Sequence, residues 1–323
     1  MSGMAVSLDI LLSGLRAAGE PTRLRILGLL SRAELTVSEL TQILGQSQPR
    51  VSRHLKLLDD AGLIERFREG SWVFCRLAGS GDAGELSARI VDLLPTDAGE
   101  ADGDLARLDA VRRHRADAAT AYFRANAERW DEVRRMHVPE SNVESVMESL
   151  LDDRAIGTLV DVGTGAGRIL ELLGPSAQEA VGVDLSHEML GLARANIDRP
   201  HLKHCRVRHA DMHSLPFPES SVDVVTYHQV LHFADEPAGV LAEGERVLRP
   251  GGMMVVADFA PHDVEALREE HAHRRLGFPA AEVAGWMRAT GLAAGEPVHL
   301  DGDPLTVTVW HANKPLAAEG HVS

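Results

Sequence analysis

Apolar residues recur at helical spacing through the first sixty positions. Leu8, Leu11, Leu12 and Leu15 mark a short amphipathic helix over residues 7–18; Leu24, Ile26, Leu27 and Leu30 mark a second, opened by Pro21 and Thr22. Thr36-Val-Ser-Glu39 has the form of a capping box, in which hydroxyl and carboxylate satisfy each other's orphan backbone donors. It predicts a third helix carrying Leu40, Ile43 and Leu44, stopped by Gly45. A fourth follows at once, with Ser47 as N-cap, Pro49 in the first turn, and Val51, Leu55 and Leu58 on its inner face. The period then falls to two: Leu63–Arg68 and Ser71–Leu77, separated by Glu69 and Gly70, predict a β-hairpin.

Between residues 78 and 104 the composition changes to a cluster of Gly and Pro, interrupted by one helix with Leu86, Ile90, Leu93 and Leu94. Residues 105–136, rich in Ala and Arg, predict one long helix or two. From 158 onward β-branched runs (158–162, 180–184, 205–209, 222–227, 253–258 and 305–311) alternate with helical patterns, which predicts a mostly parallel sheet flanked by helices. The expected division is a head over 1–95, a linker or helix over 96–117, a body over 118–314 and a loose tail over 315–323.

Charge sharpens this division. The chain of 323 residues has a formal net charge of −15, yet residues 1–80 hold ten Lys/Arg against eight Asp/Glu. The acidic excess therefore lies behind the head, which can face phosphates while the body is repelled by them. No apolar run approaches the roughly 18 residues needed to span a bilayer, and neither a membrane partner nor a signal peptide is expected. Two cysteines far apart, Cys75 and Cys205, fit a reducing, cytoplasmic setting.

Two helices joined by a tight turn, the second starting with polar residues, form the arrangement that enters a DNA major groove. The outer face of the fourth helix offers Ser47, Gln48, Arg50, Ser52, Arg53, His54 and Lys56, whose amide, hydroxyl and cationic groups suit base edges and phosphates. Arg66, Arg68 and Ser71 surround the hairpin tip, where a wing touches the sugar-phosphate backbone. The run from Pro21 to Leu77 resembles the ArsR-type winged helix throughout. The resemblance implies a homodimer, packed through the first helix and the helix near 85–94, that reads a two-fold symmetric double-stranded DNA operator. Metal-sensing members carry a Cys pair where this chain has Val37 and Ser38, so a soft-metal site of that kind is excluded and no metal is expected. His201, His204, Cys205, Asp211 and His213 are read as residues of a surface strand rather than as ligands.

In the body, Asp161-x-Gly163-Thr164-Gly165-x-Gly167 follows a β-branched strand and precedes a helix. Glycines let the backbone turn tightly and approach a ligand closely. A dinucleotide fingerprint would place its third Gly at 168, which is Arg, so the spacing favours a site for S-adenosylmethionine (SAM). Asp184, some twenty residues on, ends the second strand and can accept both ribose hydroxyls. Asp211, beside Met212, can accept from the adenine amino group, and His228 ends the fourth strand at the sulfonium. Leu185 and Met189 complete the expected lining.

The body resembles the class I SAM-dependent methyltransferases, especially the small-molecule branch, over residues 118–312, with Ala127–Asp131 resembling a cap ahead of the sheet. The resemblance implies a Rossmann-like α/β domain with a seven-stranded sheet, preceded by the α+β winged helix-turn-helix. Methyl transfer from a sulfonium proceeds largely by proximity and orientation, so no universal catalytic residue exists to certify activity. Tyr122, Trp130, His137, His228, His232, His262, His271 and His273 are candidates to face an acceptor. Two readings stay open: a transcriptional regulator that binds SAM or S-adenosylhomocysteine (SAH) as effector, and an active methyltransferase of a small-molecule acceptor with a DNA-binding head. DNA methylation is disfavoured, because the fourth strand ends Thr226-Tyr-His-Gln and lacks the Asn/Asp-Pro-Pro-aromatic run of amino-methylating DNA enzymes.

Overall fold

The computed structural model describes residues 6–69, 72–78, 81–95, 103–114, 140–152 and 154–316. The chain divides into two compact units, Met1–Asp117 and Ala118–Ser323. Ser71, Tyr122, Trp130, His137, the cap at 127–131 and most of the tail lie outside the described residues.

The first unit opens with α1 (Leu8–Ala18), whose N-cap Ser7 accepts from the Ile10 amide, and α2 (Pro21–Leu30), whose N-cap Glu20 accepts from Arg23. Strand β1 (Leu35–Thr36) leads into α3 (Val37–Leu44) through the capping box: the Thr36 amide donates to Glu39 Oε2 at 2.8 Å and the Glu39 amide to Thr36 Oγ1 at 3.2 Å. Gly45, at φ 63°, takes the left-handed conformation that closes α3. Helix α4 (Gln48–Asp60) follows with Pro49 in its first turn, and Ser47 stands at its N-cap without a side-chain capping bond. The hairpin of β2 (Ile64–Glu69) and β3 (Trp72–Leu77) pairs Arg66 with Cys75, and β1 adds to it antiparallel with Leu35 opposite Cys75. That third strand was not legible, because two residues carry no period.

Helix α5 (Gly81–Asp92) and the helical residues 103–114, here α6, finish the unit. In α6 the residues Asp104, Leu108 and Val111 fall at i, i+4 and i+7 and are all buried. Leu108 and Val111 join Ile26, Leu40, Ile43, Val51, Leu55 and Leu58 in one core. The described part of the segment expected to link head and body is thus a packed element of the head.

The second unit starts with α7 (Glu140–Ser149). Its sheet runs in the order β10 (Val298–Leu300), β11 (Val307–Asn313), β8 (Leu248–Phe259), β7 (Val222–His228), β4 (Ile156–Val162), β5 (Ala177–Asp184), β6 (Cys205–His209). The two-residue β9 (Ala293–Ala294) pairs with β11 beside this seven-strand path. The pairs β5–β6, β4–β5, β4–β7 and β7–β8 are parallel, and β11 is antiparallel to β8. Alternation sends Val160, Val162, Val225, Tyr227, Met254 and Val256 into one apolar layer and Leu159, Val224, Met253 and Val255 into the other. Helices α8 (Arg168–Leu173), α9 (His187–Ile197), α10 (Pro237–Val247), α11 (Ala266–His271) and α12 (Ala280–Ala289) complete the unit. Strand order reverses at β4, so the crevice outside its carboxyl end is a topological switch point, where open α/β sheets bind ligands.

Candidate functional site

Glycines shape that crevice. Gly163, Gly165 and Gly167 leave β4 at φ 69°, 53° and 87°, all in the region that disfavours a side chain. The loop is pinned to the next strand, since the amides of Gly163 and Thr164 donate to the Val183 carbonyl at 2.8 and 2.9 Å. A Cβ on Gly163 would lie 2.2 Å from Val230 Cγ2, and one on Gly182 would lie 2.6 Å from Thr164 Oγ1. Thr164 Oγ1 is itself buried with no hydrogen-bond partner among the described residues.

Four polar residues follow in order along the carboxyl ends of neighbouring strands β6, β5, β4 and β7. Asp184 Oδ2 accepts from the Gly165 amide at 2.9 Å and Oδ1 from the Ser186 amide at 2.8 Å. Burial pushes the Asp184 carboxyl above its usual range, against these backbone donors and His209. Buried Asp161 Oδ1 accepts from Thr226 Oγ1 at 2.8 Å. Beyond β6, Asp211 Oδ1 takes the amide and Nδ1 of His213, at 2.9 and 3.0 Å. His228 is buried at the end of β7, next to Gln229 at φ 51°. Such strain in a non-glycine residue marks places whose geometry is over-determined by their surroundings. Leu185 is exposed and Met189 is buried.

Arg168, the residue that spoils a dinucleotide fingerprint, has a structural task. Its Nε and Nη2 donate to Glu144 Oε1 and Oε2, both at 2.6 Å, tying α8 to α7. This bidentate pair raises the guanidinium ionisation further above its usual range.

Two of the histidines expected to face an acceptor, His232 and His273, lie together, while His262 packs edge-on against Phe259. His232 Nδ1 lies 2.8 Å from Asp258 Oδ1, and its amide donates to Oδ2 at 3.2 Å. Both side chains are almost wholly buried, at 2% and 0% exposure. His273 stacks on His232 at 3.9 Å, and Phe233 and Phe259 lie within 5.4 Å of the same ring. Asp258 read only as the end of a strand; its spacing from His232 carries no local signal, because the sheet brings them together. Among the described residues no group of three His, Cys, Asp or Glu side chains is placed to hold a metal ion. His204 Nε2 turns to the Gly174 carbonyl, and Cys205 is buried.

On the first unit, Ser47, Gln48, Arg50, Arg53 and Lys56 are exposed along α4, and Ser52 is half-buried. Arg50, Arg53 and Lys56 carry no ion pair among the described residues, and so their charge is available. His54 departs from this face: its Nδ1 lies 3.5 Å from Glu20 Oε2 and only 13% of its side chain is exposed. Burial depresses its ionisation, with Arg23, Arg50 and Arg53 adding to the effect and Glu20 opposing it. Arg66 is also turned inward, 4.0 Å from Asp59 Oδ2 and against the Cys75 thiol, which burial pushes up to about 12. Arg68, two residues on, is exposed. No helix among the described residues is long and apolar enough to cross a membrane.

Two family models match the chain. Bacterial regulatory proteins of the arsR family match residues 20–66, and a methyltransferase domain matches residues 160–256. An uncharacterized 37.1 kDa protein in transposon TN4556 of Streptomyces fradiae is 36% identical over 117 residues, 35% of this chain and 33% of that protein. An arsenite methyltransferase of Halobacterium salinarum is 32% identical over 169 residues, 49% of this chain and 43% of that enzyme. The chain thus spans less than half the length of these relatives. A chain from the Haloferax volcanii complex containing the Trm112 methyltransferase activator superposes with a TM-score of 0.51 at 22% identity, covering 62% of this chain and 99% of that one, a likeness of fold. The chain therefore joins a winged-helix segment that matches the arsR regulatory model to a segment that matches a methyltransferase domain and folds with Rossmann-like, mostly parallel architecture.

Proposed function

We propose that the protein is a DNA-binding transcriptional regulator of ArsR type whose methyltransferase domain binds SAM or SAH as its effector. One observation carries the ligand half of this reading: the glycine loop after β4 is hydrogen-bonded directly to Asp184 at the end of β5. The loop backbone opens space for a sulfur nucleoside, and the Asp184 oxygens keep lone pairs for ribose hydroxyls. Asp161, Thr164, Leu185, Met189, Asp211, Met212 and His228 line the remainder. The exposed cations of α4 carry the DNA half, with Arg68 on the wing.

The regulator acts as a homodimer on a two-fold operator in this reading. Leu8, Leu12 and Leu15 are exposed on α1 and offer an apolar face to a second copy. A cytoplasmic setting belongs to the same proposal. The effector must favour one DNA-binding geometry, and a tenfold change in operator affinity needs about 1.4 kcal/mol of differential binding. Operator affinity measured while SAM and SAH are titrated tests it; affinity unmoved by either ligand removes the sensor reading.

The second reading, an active methyltransferase with a DNA-binding head, is favoured by one observation of its own, the buried His232–Asp258 pair at the same edge of the sheet. Both roles can coexist. SAH release across a panel of small-molecule acceptors distinguishes them.

A further inference from the structure

We infer that His232 is the general base of an acceptor subsite beside the glycine loop, positioned by Asp258, and that the acceptor it serves is a weakly acidic hydroxyl on an aromatic ring. The inference rests on the reading of the second unit as the holder of a sulfonium methyl donor.

Place comes first. His232 lies in the turn Leu231–Phe233 that follows β7, and Val230, two residues earlier, is the side chain packed on Gly163. Chain continuity therefore sets the dyad next to the loop expected to hold the donor. The backbone also holds the turn, since the Arg274 and Arg275 amides donate to the His232 carbonyl at 3.0 and 3.1 Å.

Protonation follows from partners. Asp258 Oδ1 accepts from the Phe259 amide at 2.8 Å while Oδ2 accepts from the His232 amide. A carboxylate that only accepts leaves the ring proton on Nδ1, which fixes the tautomer with its lone pair on Nε2. No hydrogen bond to Nε2 exists among the described residues. A buried acid orienting an imidazole in this way is the arrangement that makes histidine an effective base.

The acceptor class follows from the chemistry left to do. A lone-pair donor such as a thioether or a trivalent arsenic needs no base, and a histidine held in this tautomer would add nothing for it. An aromatic hydroxyl does need one, and half-buried Phe233 together with Phe259 and His273 supplies ring surface around the base. In the step, the acceptor oxygen bonds to the methyl carbon and displaces it from sulfur, which keeps the electron pair of the broken bond and becomes a neutral thioether. The hydroxyl proton passes to His232 Nε2, and the imidazolium, stabilised by Asp258, later returns it to water.

Nitrogen-15 NMR of histidine-labelled, ligand-free full chain tests the tautomer without turnover. His232 is expected to hold its proton on Nδ1 in the wild type and to show mixed tautomers in Asp258→Asn. The second arm adds 4-nitrophenol, whose ionised form absorbs in the visible, at a pH below its own midpoint and in the presence of SAH. Ionised bound probe in the wild type and neutral bound probe in His232→Gln support the assignment. Equal ionisation in both, no bound probe in either, or a wild-type ring protonated on Nε2 overturns it. With a phenolic acceptor, His232→Gln should lower kcat on the order of 10²–10⁴-fold while SAH affinity holds. Calorimetry with SAH separates the two failures: no uptake by the wild type sinks the donor reading, whereas uptake with unchanged probe ionisation sinks only the base.

Discussion

Asp104 receives two parallel hydrogen bonds from Arg25, one from Nε at 2.6 Å and one from Nη2 at 2.7 Å, across 79 residues of chain. Arg107 Nη2 adds a third at 2.6 Å, and Arg107 Nε donates to the Ile43 carbonyl near the end of α3. Thus α6 is clamped at once to α2 and to the end of the helix that precedes the turn into α4. Asp104 is 4% exposed, and removing one partner of a buried pair leaves the other charge uncompensated. Asp104→Ala should destabilise the first unit by about 3 kcal/mol, and Arg25→Lys, which keeps the charge but loses the fork, by less. Urea denaturation of the full chain followed by circular dichroism reads the first unit's transition; an unmoved midpoint in Asp104→Ala removes the clamp.

This clamp also shows where sequence reading stops. The helices of the head were legible because each repeats its own apolar period and carries its own cap, as Thr36 and Glu39 do within four residues. The glycine loop and Asp184 were legible because a turn and the strand beside it leave marks at short, fixed intervals. Asp104 sits among glycines in a stretch that reads as a linker, and its partner is 79 residues away. Asp258 and His232 are likewise joined only by the pairing of β7 with β8. His54 and Arg66 look outward on a helical wheel and a hairpin, yet Glu20 and Asp59 turn them in. In each case the missing information is a tertiary contact that no local period encodes.

The α4 face supplies a prediction that separates DNA binding from everything else. Arg53 is exposed and carries no ion pair among the described residues, so its guanidinium is available to one phosphate. Arg53→Ala should weaken binding across all sequences and reduce the slope of log affinity against log salt by about 1, because one fewer counterion is released. Affinity for SAH should not change. Fluorescence anisotropy with operator and random duplexes over a salt series gives the slope; a loss confined to one sequence would make Arg53 a base reader instead.

Asp211 and His213 predict a titration. Their direct hydrogen bond raises the His213 ionisation above the usual histidine value of 6.5 and lowers that of Asp211 below 3.8. The sign follows from linkage. The histidine's share of the stabilisation is complete below its unfolded value and lost as pH rises through the raised folded one. The aspartate's share is complete above its unfolded value and lost as pH falls through the depressed one. The pair therefore contributes fully between about pH 4 and 6.5. Proton NMR of His213 should show a midpoint above 6.5 that falls in Asp211→Asn. An identical midpoint in the two proteins would remove the pair.

Asp184 predicts a pH dependence of the opposite kind. Its carboxyl is raised by burial, so it takes up a proton at a higher pH than an ordinary aspartate, and the carboxylate is the stronger acceptor for ribose hydroxyls. Affinity for SAH should be complete above the raised value and fall as pH drops through it, beginning at a higher pH than an ordinary aspartate would allow. Asp184→Asn should bind roughly 10–100-fold more weakly, as expected for losing hydrogen bonds to a charged group, and without that acid limb. Calorimetry across pH checks both; a wild-type limb that persists in the variant assigns it to another group.

Gly163 carries two constraints that a double variant can separate. Its φ of 69° costs any other residue roughly 1–2 kcal/mol, and a Cβ there would meet Val230 Cγ2 at 2.2 Å, an overpacking that typically costs a further 1–3 kcal/mol. Gly163→Ala should therefore destabilise the second unit by about 2–5 kcal/mol and abolish SAH binding, since the loop must shift or Val230 must withdraw. Val230→Ala in the same chain removes the clash and leaves the backbone strain. The double variant should regain more stability than ligand affinity, because the strained loop still presents its amides at the wrong angle. Full recovery of both would mean that the contact with Val230 alone requires glycine at this position; no recovery of either would mean that the backbone conformation alone does.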